Sequence, residues 1–174
     1  TDMNLTNQPP RLPELLAPAG SPEALEAAIA AGADAVYLGG SRFNARMNAH
    51  NFDTAALREA VTHAHRMGSR VYLTLNTMPR THEYPMLYKF LDDLRGSGID
   101  AVIVADLGVM ATVKEMLPDM EIHISTQASI ISPAAACAYA RMGAKRLVLA
   151  RELQFSEIKA IKAASVEELT AVLP

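Results

Sequence analysis

The sequence predicts an α/β fold built from a repeated strand–helix unit, and three observations carry that prediction. Short apolar runs alternate six times with longer helical patterns between residues 13 and 164. The junctions GADAVYLGG, GIDAVIVAD and GAKRLVLAR resemble one another, each a helix stop, a short linker and a buried strand. The runs are also apolar on both parities, as when helices cover both faces of a parallel sheet, or when a barrel core fills one face and helices the other. Right-handed crossovers follow from such a repeat. Two architectures stay open: a doubly wound sheet, or about six βα units of an incomplete (β/α)8 barrel, which when complete needs ~250 residues against 174 here. A partial barrel leaves its first and sixth strands as open edges unless further chain, a partner or the last residues, VEELTAVLP, cover them.

In chain order, residues 1–12 are polar and proline-bearing and are expected to be a flexible lead-in. The first strand lies in PELLAPAG (13–20). Ser21-Pro22-Glu23 supplies an N-cap, a first-turn proline and an acid, and the helix runs to Gly32. DAVYLGG (34–40) is the second strand, and Asp53 caps a helix that ends at Gly68. RVYLTLN (70–76) is the third strand, followed by a helix over about 85–96. GIDAVIVAD (98–106) and EIHISTQ (121–127) are strands four and five, separated by a helix in GVMATVKEML that Pro118 stops. Ser132-Pro133 opens a helix to Gly143, and RLVLARE (146–152) is strand six.

Half of the residues are hydrophobic and a fifth are charged, which excludes a disordered tail, and no apolar run reaches the ~18 residues of a membrane span. With no tryptophan, nine Met and abundant Ala and Leu, helices packed on a sheet are favoured over an aromatic-rich sandwich. A net charge of −3 does not mark a nucleic-acid binder, so an anion site must be local. The single cysteine, Cys137, excludes an internal disulfide and a thiolate metal cage. The N-terminal TDMNLTNQPPRLPE lacks a basic-then-apolar signal pattern, and the expected location is the cytoplasm.

Chemistry in either architecture sits outside the carboxyl ends of the strands. There the sequence places Asn44, Arg46, Asn76, Arg80, Asp106, Ser125, Gln127, Arg151 and Glu152. Polar groups closing apolar runs lose hydration unless they bond one another or a ligand. Asp106 and Glu152 are the candidate catalytic carboxylates; Asn44, Arg46, Asn76, Arg80, Gln127 and Arg151 are the candidate substrate contacts. Ser125 and His123 share one strand parity behind them, and His123 is equally well read as a satisfied core histidine. Strand-end polar residues also cap neighbouring helices, at about even odds for any one of them. Arg46, Arg80 and Arg151 make the rim locally positive, and arginine forks match phosphate or carboxylate oxygens in pairs. A phosphorylated metabolite, a carboxylic acid or an RNA backbone would fit.

Other signals are weaker. His63 and His65, two apart on a helix, face different ways and are a solvated face rather than a metal pair. Gly39-Gly40 lacks the spacing of a phosphate loop and is read as a bend. Cys137 lies in an Ala-rich helix and is read as packing. No GxSxG or HExxH occurs.

Taken together, LLAPAGSPEALEAAIAAGADAVYLGGSRFNAR, LTLN, DLG, HISTQ and LVLARELQFSEI resemble the N-terminal part of the U32 family, long labelled peptidases or collagenase-like proteases. The similarity spans about residues 13 to 162. It implies a TIM-barrel-like domain, here over 13–164, and a downstream cysteine set that in several members holds a 4Fe-4S cluster. One clade makes 5-hydroxyuridine in tRNA with prephenate, another hydroxylates a ribosomal-RNA cytidine, and a third takes part in oxygen-independent ubiquinone synthesis as paired subunits. The family's next strand runs into His-Gly-Ala-Leu-Cys, whereas this chain reads SVEELTAVLP. Residues 165–174 are therefore expected to be a divergent or truncated end, with no cofactor inside this chain and the cluster downstream. Ser129 replaces a frequent Asn, and Gln154 a capping Ser, which should weaken the last helix by ~1 kcal/mol.

The resemblance implies an RNA-modification factor that supports hydroxylation of a tRNA or rRNA pyrimidine with an anionic co-substrate such as prephenate. Its partners would be RNA and that co-substrate, without a membrane, and its open edge strands would allow a homo- or hetero-dimer. The alternatives are a collagenase-like peptidase, for which no Ser-His-Asp set or zinc motif is present, and a non-catalytic partner subunit. This chain alone is expected to be colourless and inactive.

Overall fold

A computed structural model of the chain describes residues 12–45, 52–164 and, as backbone, 170–172. Residues 1–11 of the expected lead-in and the candidate Arg46 lie outside the described residues. Among the described residues, seven strands form one sheet: β1 (Leu16–Pro18), β2 (Ala35–Gly39), β3 (Arg70–Leu75), β4 (Ala101–Val104), β5 (Glu121–Ile124), β6 (Arg146–Val148) and β7 (Thr170–Val172). They pair in sequence order and all in parallel. Six helices alternate with them: α1 (Pro22–Ala30), α2 (Thr54–Arg66), α3 (Tyr84–Asp93), α4 (Leu107–Met116), α5 (Pro133–Arg141) and α6 (Phe155–Ala164).

Strand parity decides between the two architectures. Val36, Leu38, Val71, Leu73, Leu75, Val102, Val104 and Ile124 pack with Leu57, Val61, Leu87, Leu91, Val109 and Val113 of the helices in one core. The opposite parity, Ala35, Tyr72, Ala101 and Ile103 with Leu16 and Tyr37, forms a second cluster containing no helical residue. Helices thus cover one face only, and the other is the concave inside of a curled sheet. The curl is strong enough that Glu14, just ahead of β1, bonds Arg146 at the start of β6 through Oε1 and Nη1, 2.5 Å apart. This is a TIM-barrel-like (β/α) arrangement and not a doubly wound sheet.

The repeated junction has a physical cause. Asp34 and Asp100 each accept through Oδ2 an N–H at the amino end of the preceding strand, that of Leu15 just ahead of β1 and that of Val71 in β3, both at 2.7 Å. Their own N–H groups donate to Leu15 O and Val71 O, at 2.9 and 3.0 Å. Lys145 repeats the backbone half, donating to Ile122 O at 2.9 Å. Each clamp aligns the entry of a strand with its neighbour and so sets register.

The helix starts at Ser21, Asp53 and Ser132 are as predicted, each side chain accepting the N–H three residues on, at Ala24, Ala56 and Ala135. Gln154 lacks a capping hydroxyl, yet Glu157 Oε2 accepts its N–H at 2.7 Å, which keeps half of a capping box. Several boundaries differ from the sequence reading. β5 and β6 stop at Ile124 and Val148, so Gln127 lies in a 3-10 turn (Thr126–Ala128) and Arg151 and Glu152 in a tight turn. Another 3-10 turn, Thr81–Glu83, precedes α3, which ends at Asp93. The last residues, expected to be a divergent or truncated end and one of the segments that could cover the edge of the sixth strand, contribute β7, which pairs in parallel with β6.

Candidate functional site

Because every strand runs the same way, the carboxyl ends of β1–β6 lie on one rim, to which each helix returns its amino end. The loop after β2 is the most constrained part of it. Ser41 N donates to Phe52 O at 3.0 Å and Phe52 N to Gly39 O at 3.1 Å, closing the loop at its base. Inside it, Phe43 has φ 59°, a left-handed conformation that costs a non-glycine residue ~1–3 kcal/mol unless its surroundings fix it. The end of β3 does the fixing. Asn76 Oδ1 accepts from Ala45 N at 3.1 Å, Thr77 N donates to Phe43 O at 3.3 Å, and Thr74 Oγ1 lies 3.4 Å from Oδ1 of the buried Asn44. Gly40 is more than the bend predicted: a Cβ there would stand 3.0 Å from Phe90 Cζ.

At the end of β4, Asp106 Oδ1 accepts from Val109 N at 2.9 Å and caps α4. The DLG run has a steric reason, since a Cβ on Gly108 would lie 2.3 Å from the Tyr84 hydroxyl and 3.0 Å from Asp106 Oδ1. Partial burial, and then the charge of Asp106, push the Tyr84 phenol above its ordinary range. Ser125, buried after β5, donates its N–H to Val104 O at 2.7 Å and accepts Gln127 N on Oγ at 3.3 Å.

The candidates therefore fall into three groups. Asn44 and Asn76 meet through the β2–α2 loop; Asp106 and Ser125 each cap a turn at its start; Arg80, Gln127, Arg151 and Glu152 are exposed, with no side-chain hydrogen bond or ion pair among the described residues. The carboxylates of Asp53, Glu83, Asp106 and Glu157 instead accept backbone N–H groups where helices begin. Apart from the exposed carboxylate of Glu152, the rim thus presents unpaired guanidinium groups and helix amino ends beside engaged acids, an arrangement that attracts anions.

His123 belongs elsewhere. Its ring is 1% exposed, bonds Glu121 Oε1 at 2.8 Å and meets Tyr72 edge-on at 4.7 Å. Tyr72 donates to Glu14 Oε2 at 2.9 Å, and Arg146 lies 5.3 Å over its ring. His123 is thus the satisfied core histidine of the two readings the sequence allows, while its links to Glu14, Tyr72 and Arg146, inside the curl at the amino ends of the strands, have no counterpart in the sequence reading. The available signal was polar residues within strands on one parity: Arg70 and Tyr72, Glu121 and His123, and Arg146, which is in register with His123. Burial raises the Glu14 carboxyl, but hydrogen bonds from Arg146 and Tyr72 and the charges of Arg146 and Arg70 outweigh it, so the net shift is downward. Burial lowers the His123 imidazole despite Glu121.

The two helical histidines face separate carboxylates: His65 Nε2 hydrogen-bonds Asp100 Oδ2 at 2.8 Å, whereas His63 Nε2 lies 3.0 Å from Glu26 Oε1 without hydrogen-bond geometry. Cys137 Sγ donates to Ala164 O at 3.1 Å, which ties α5 to α6. Among the described residues no three His, Cys, Asp or Glu gather as metal ligands. With one cysteine in the chain, a cysteine-held iron–sulfur cluster does not fit these residues.

The profile of Peptidase family U32 matches residues 20–172. The chain belongs to peptidase family U32. Over 150 residues, 86% of its length, this U32 chain is 37% identical to tRNA hydroxylation protein P1 of Bacillus subtilis (strain 168), and covers 36% of that protein. It is 40% identical over 152 residues to a 23S rRNA 5-hydroxycytidine synthase of Escherichia coli (strain K12), covering 87% of this chain and 23% of that one. The chain thus spans about a third or less of the length of these U32 relatives. The solved U32 peptidase Mk0906 superposes with a TM-score of 0.73 at 20% identity, over 92% of this chain and 68% of that one, which shows the shared fold.

Proposed function

We propose that this U32 chain forms the substrate-holding part of an RNA-modification factor that supports hydroxylation of a tRNA or rRNA pyrimidine in the cytoplasm. The observation that carries the reading is its 37% and 40% identity to a tRNA hydroxylation protein and an rRNA 5-hydroxycytidine synthase, across almost the whole chain. The rim supplies suitable chemistry. The guanidinium groups of Arg80 and Arg151, with Arg46 from the β2–α2 loop, would hold an anionic co-substrate such as prephenate, or the RNA backbone, by paired hydrogen bonds. Asn44 and Asn76 would keep the loop that carries Arg46 in register, Gln127 would hydrogen-bond the guest, and Asp106 and Glu152 would move protons at the reacting centre. Any iron–sulfur cluster would be supplied from outside these residues.

Nucleoside mass spectrometry of total tRNA and rRNA, from a strain lacking the complete gene and from its parent, tests this. A hydroxylated pyrimidine should vanish, and complementation with Arg80→Ala or Arg151→Ala should restore it poorly. An unchanged nucleoside profile would overturn the proposal and shift weight to proteolysis or quinone synthesis.

A further inference from the structure

We propose that the α3 side of the rim is a platform for an unpaired stretch of RNA, on which Tyr88, braced by the half-buried Tyr84, stacks with a base and Arg42 and Arg80 contact phosphates. This rests on the hydroxylation reading and identifies the surface that would grip the nucleic acid. The chain leaving β3 exposes Met78, Arg80 and, on α3, Met86 and Tyr88, the last 47% exposed. Tyr84 and Tyr88, one helical turn apart, meet edge to face with ring centroids 5.9 Å apart. From the loop after β2, Arg42 Nη1 donates to Met86 Sδ at 3.0 Å, which brings a guanidinium from a separate element to the same face. The carboxylate within this segment, Glu83, is turned to Arg80 N at 2.7 Å. Neither Arg42 nor Arg80 forms an ion pair among the described residues.

Cations beside an exposed aromatic ring suit single-stranded nucleic acid. Phosphates find charge, and an unstacked base finds a π-face that a duplex, with its bases paired inside, cannot use. A protein partner would be a poorer match, because two unpaired guanidinium groups in its interface would need buried acids opposite them.

The test titrates the complete protein into a short fluorescein-labelled oligouridylate and into a blunt RNA duplex, following anisotropy over a salt series. The oligouridylate should bind more tightly than the duplex. Tyr88→Ala should weaken it by about five- to a hundred-fold, the effect of one stacked base, while Tyr88→Phe keeps it. Arg42→Gln should reduce the salt slope by about 0.7, the value of one phosphate contact on a single strand. Unchanged melting temperatures would establish that these exposed variants still fold. Equal binding of duplex and oligouridylate, or wild-type affinity in Tyr88→Ala, would overturn the platform. So would a dimer that Tyr88→Ala converts to a monomer with RNA affinity unaltered, since the face would then belong to a second copy. The two proposals fail separately. Oligouridylate binding through Tyr88 with an intact nucleoside profile in the deletion strain refutes hydroxylation alone; full restoration of the nucleoside by Tyr88→Ala, with unaltered binding, refutes the platform alone.

Discussion

Replacing Glu14 with alanine should release the inward curl of the sheet. Glu14 bonds Arg146 Nη1 at 2.5 Å and the Tyr72 hydroxyl at 2.9 Å, and Arg70 Nη1 stands 3.9 Å away. Side-chain exposure is 24% for Glu14 and 11% for Arg146, whose Nε is buried without a hydrogen-bond partner among the described residues. Removing one member of a fully buried pair costs about 3–5 kcal/mol, because the other charge is left uncompensated. The partial exposure of Glu14 lowers that figure, and the lost Tyr72 hydrogen bond adds about 1 kcal/mol, so a loss of about 3 kcal/mol is expected. In a domain of this size each kcal/mol shifts Tm by about 2–4 °C, which gives a fall of about 6–12 °C. Calorimetry of Glu14→Ala, Arg146→Met and the double variant would provide the decisive cycle. The double variant should lose much less than the sum of the single ones. A coupling below about 0.5 kcal/mol, the level of independent sites, would refute the claim that this contact joins β1 to β6.

The same network predicts how stability responds to acid. His123 is held below its ordinary value of 6.5, so the unfolded chain takes up a proton first and stability falls as the pH drops below that value. Glu14, held below its ordinary 4.5, adds a second loss as the pH falls through its lowered value. Urea midpoints between pH 7 and 5 should decline in the wild type and stay flatter in His123→Gln; parallel slopes would contradict this. Gly108→Ala, whose methyl displaces the Tyr84 hydroxyl at the free end of its side chain, should change stability by no more than about 1 kcal/mol, because Ala gains up to about that much over Gly within a helix, and the variant that adds Tyr84→Phe in the same chain should be the more stable of the two in denaturant unfolding. Asn76→Ala should free the loop after β2 at about 1 kcal/mol and speed its limited proteolysis, whereas Asn76→Asp, which keeps the acceptor for Ala45 N, should not. Ser129 sits at φ 51°, where Asn is tolerated best among side chains, so Ser129→Asn should raise Tm slightly.

What the sequence disclosed follows from what is local. Ser21, Asp53 and Ser132 announce their helices because a cap and its N–H lie three residues apart, and strand parity foretells burial because alternation is a property of the strand itself. The apolar run GIDAVIVAD carries strand four through Asp106 in the sequence, but β4 ends at Val104 and α4 starts at Leu107, the residue after Asp106, so the capping role of Asp106 is concealed by the run through GIDAVIVADLGV. Gln127, Arg151 and Glu152 close apolar runs whose strands stop three or four residues earlier, since hydrogen-bonding partners rather than composition end a strand. Glu14 was hidden most completely: it precedes β1, and its partner lies 132 residues away. Nothing within a local window links the two. The Asn frequent at the position of Ser129 is accounted for by the left-handed backbone there, φ 51°, which Asn tolerates better than Ser.

The fold also explains how a chain of net charge −3 can present a positive rim. Asp34 and Asp100 sit at the amino ends of the strands, where they clamp neighbouring backbones. Glu14 and Glu121 face Arg146 and His123 inside the curl. The acids that do reach the carboxyl-end rim, Asp53, Glu83, Asp106 and Glu157, accept N–H groups at helix starts, so part of their charge is offset by the amino-end dipoles they cap. Arg80 and Arg151 have no such engagement among the described residues. A phosphate approaching this end therefore meets cations before it meets free carboxylates, apart from Glu152. If that account holds, Glu152→Gln should tighten anion binding, while an equal change of net charge at Asp34 should leave it unmoved, because at the opposite end of the barrel it is screened by salt over more than a Debye length of about 8 Å. Comparable gains from both substitutions would mean that net charge, and not the placement of the acids, governs the rim.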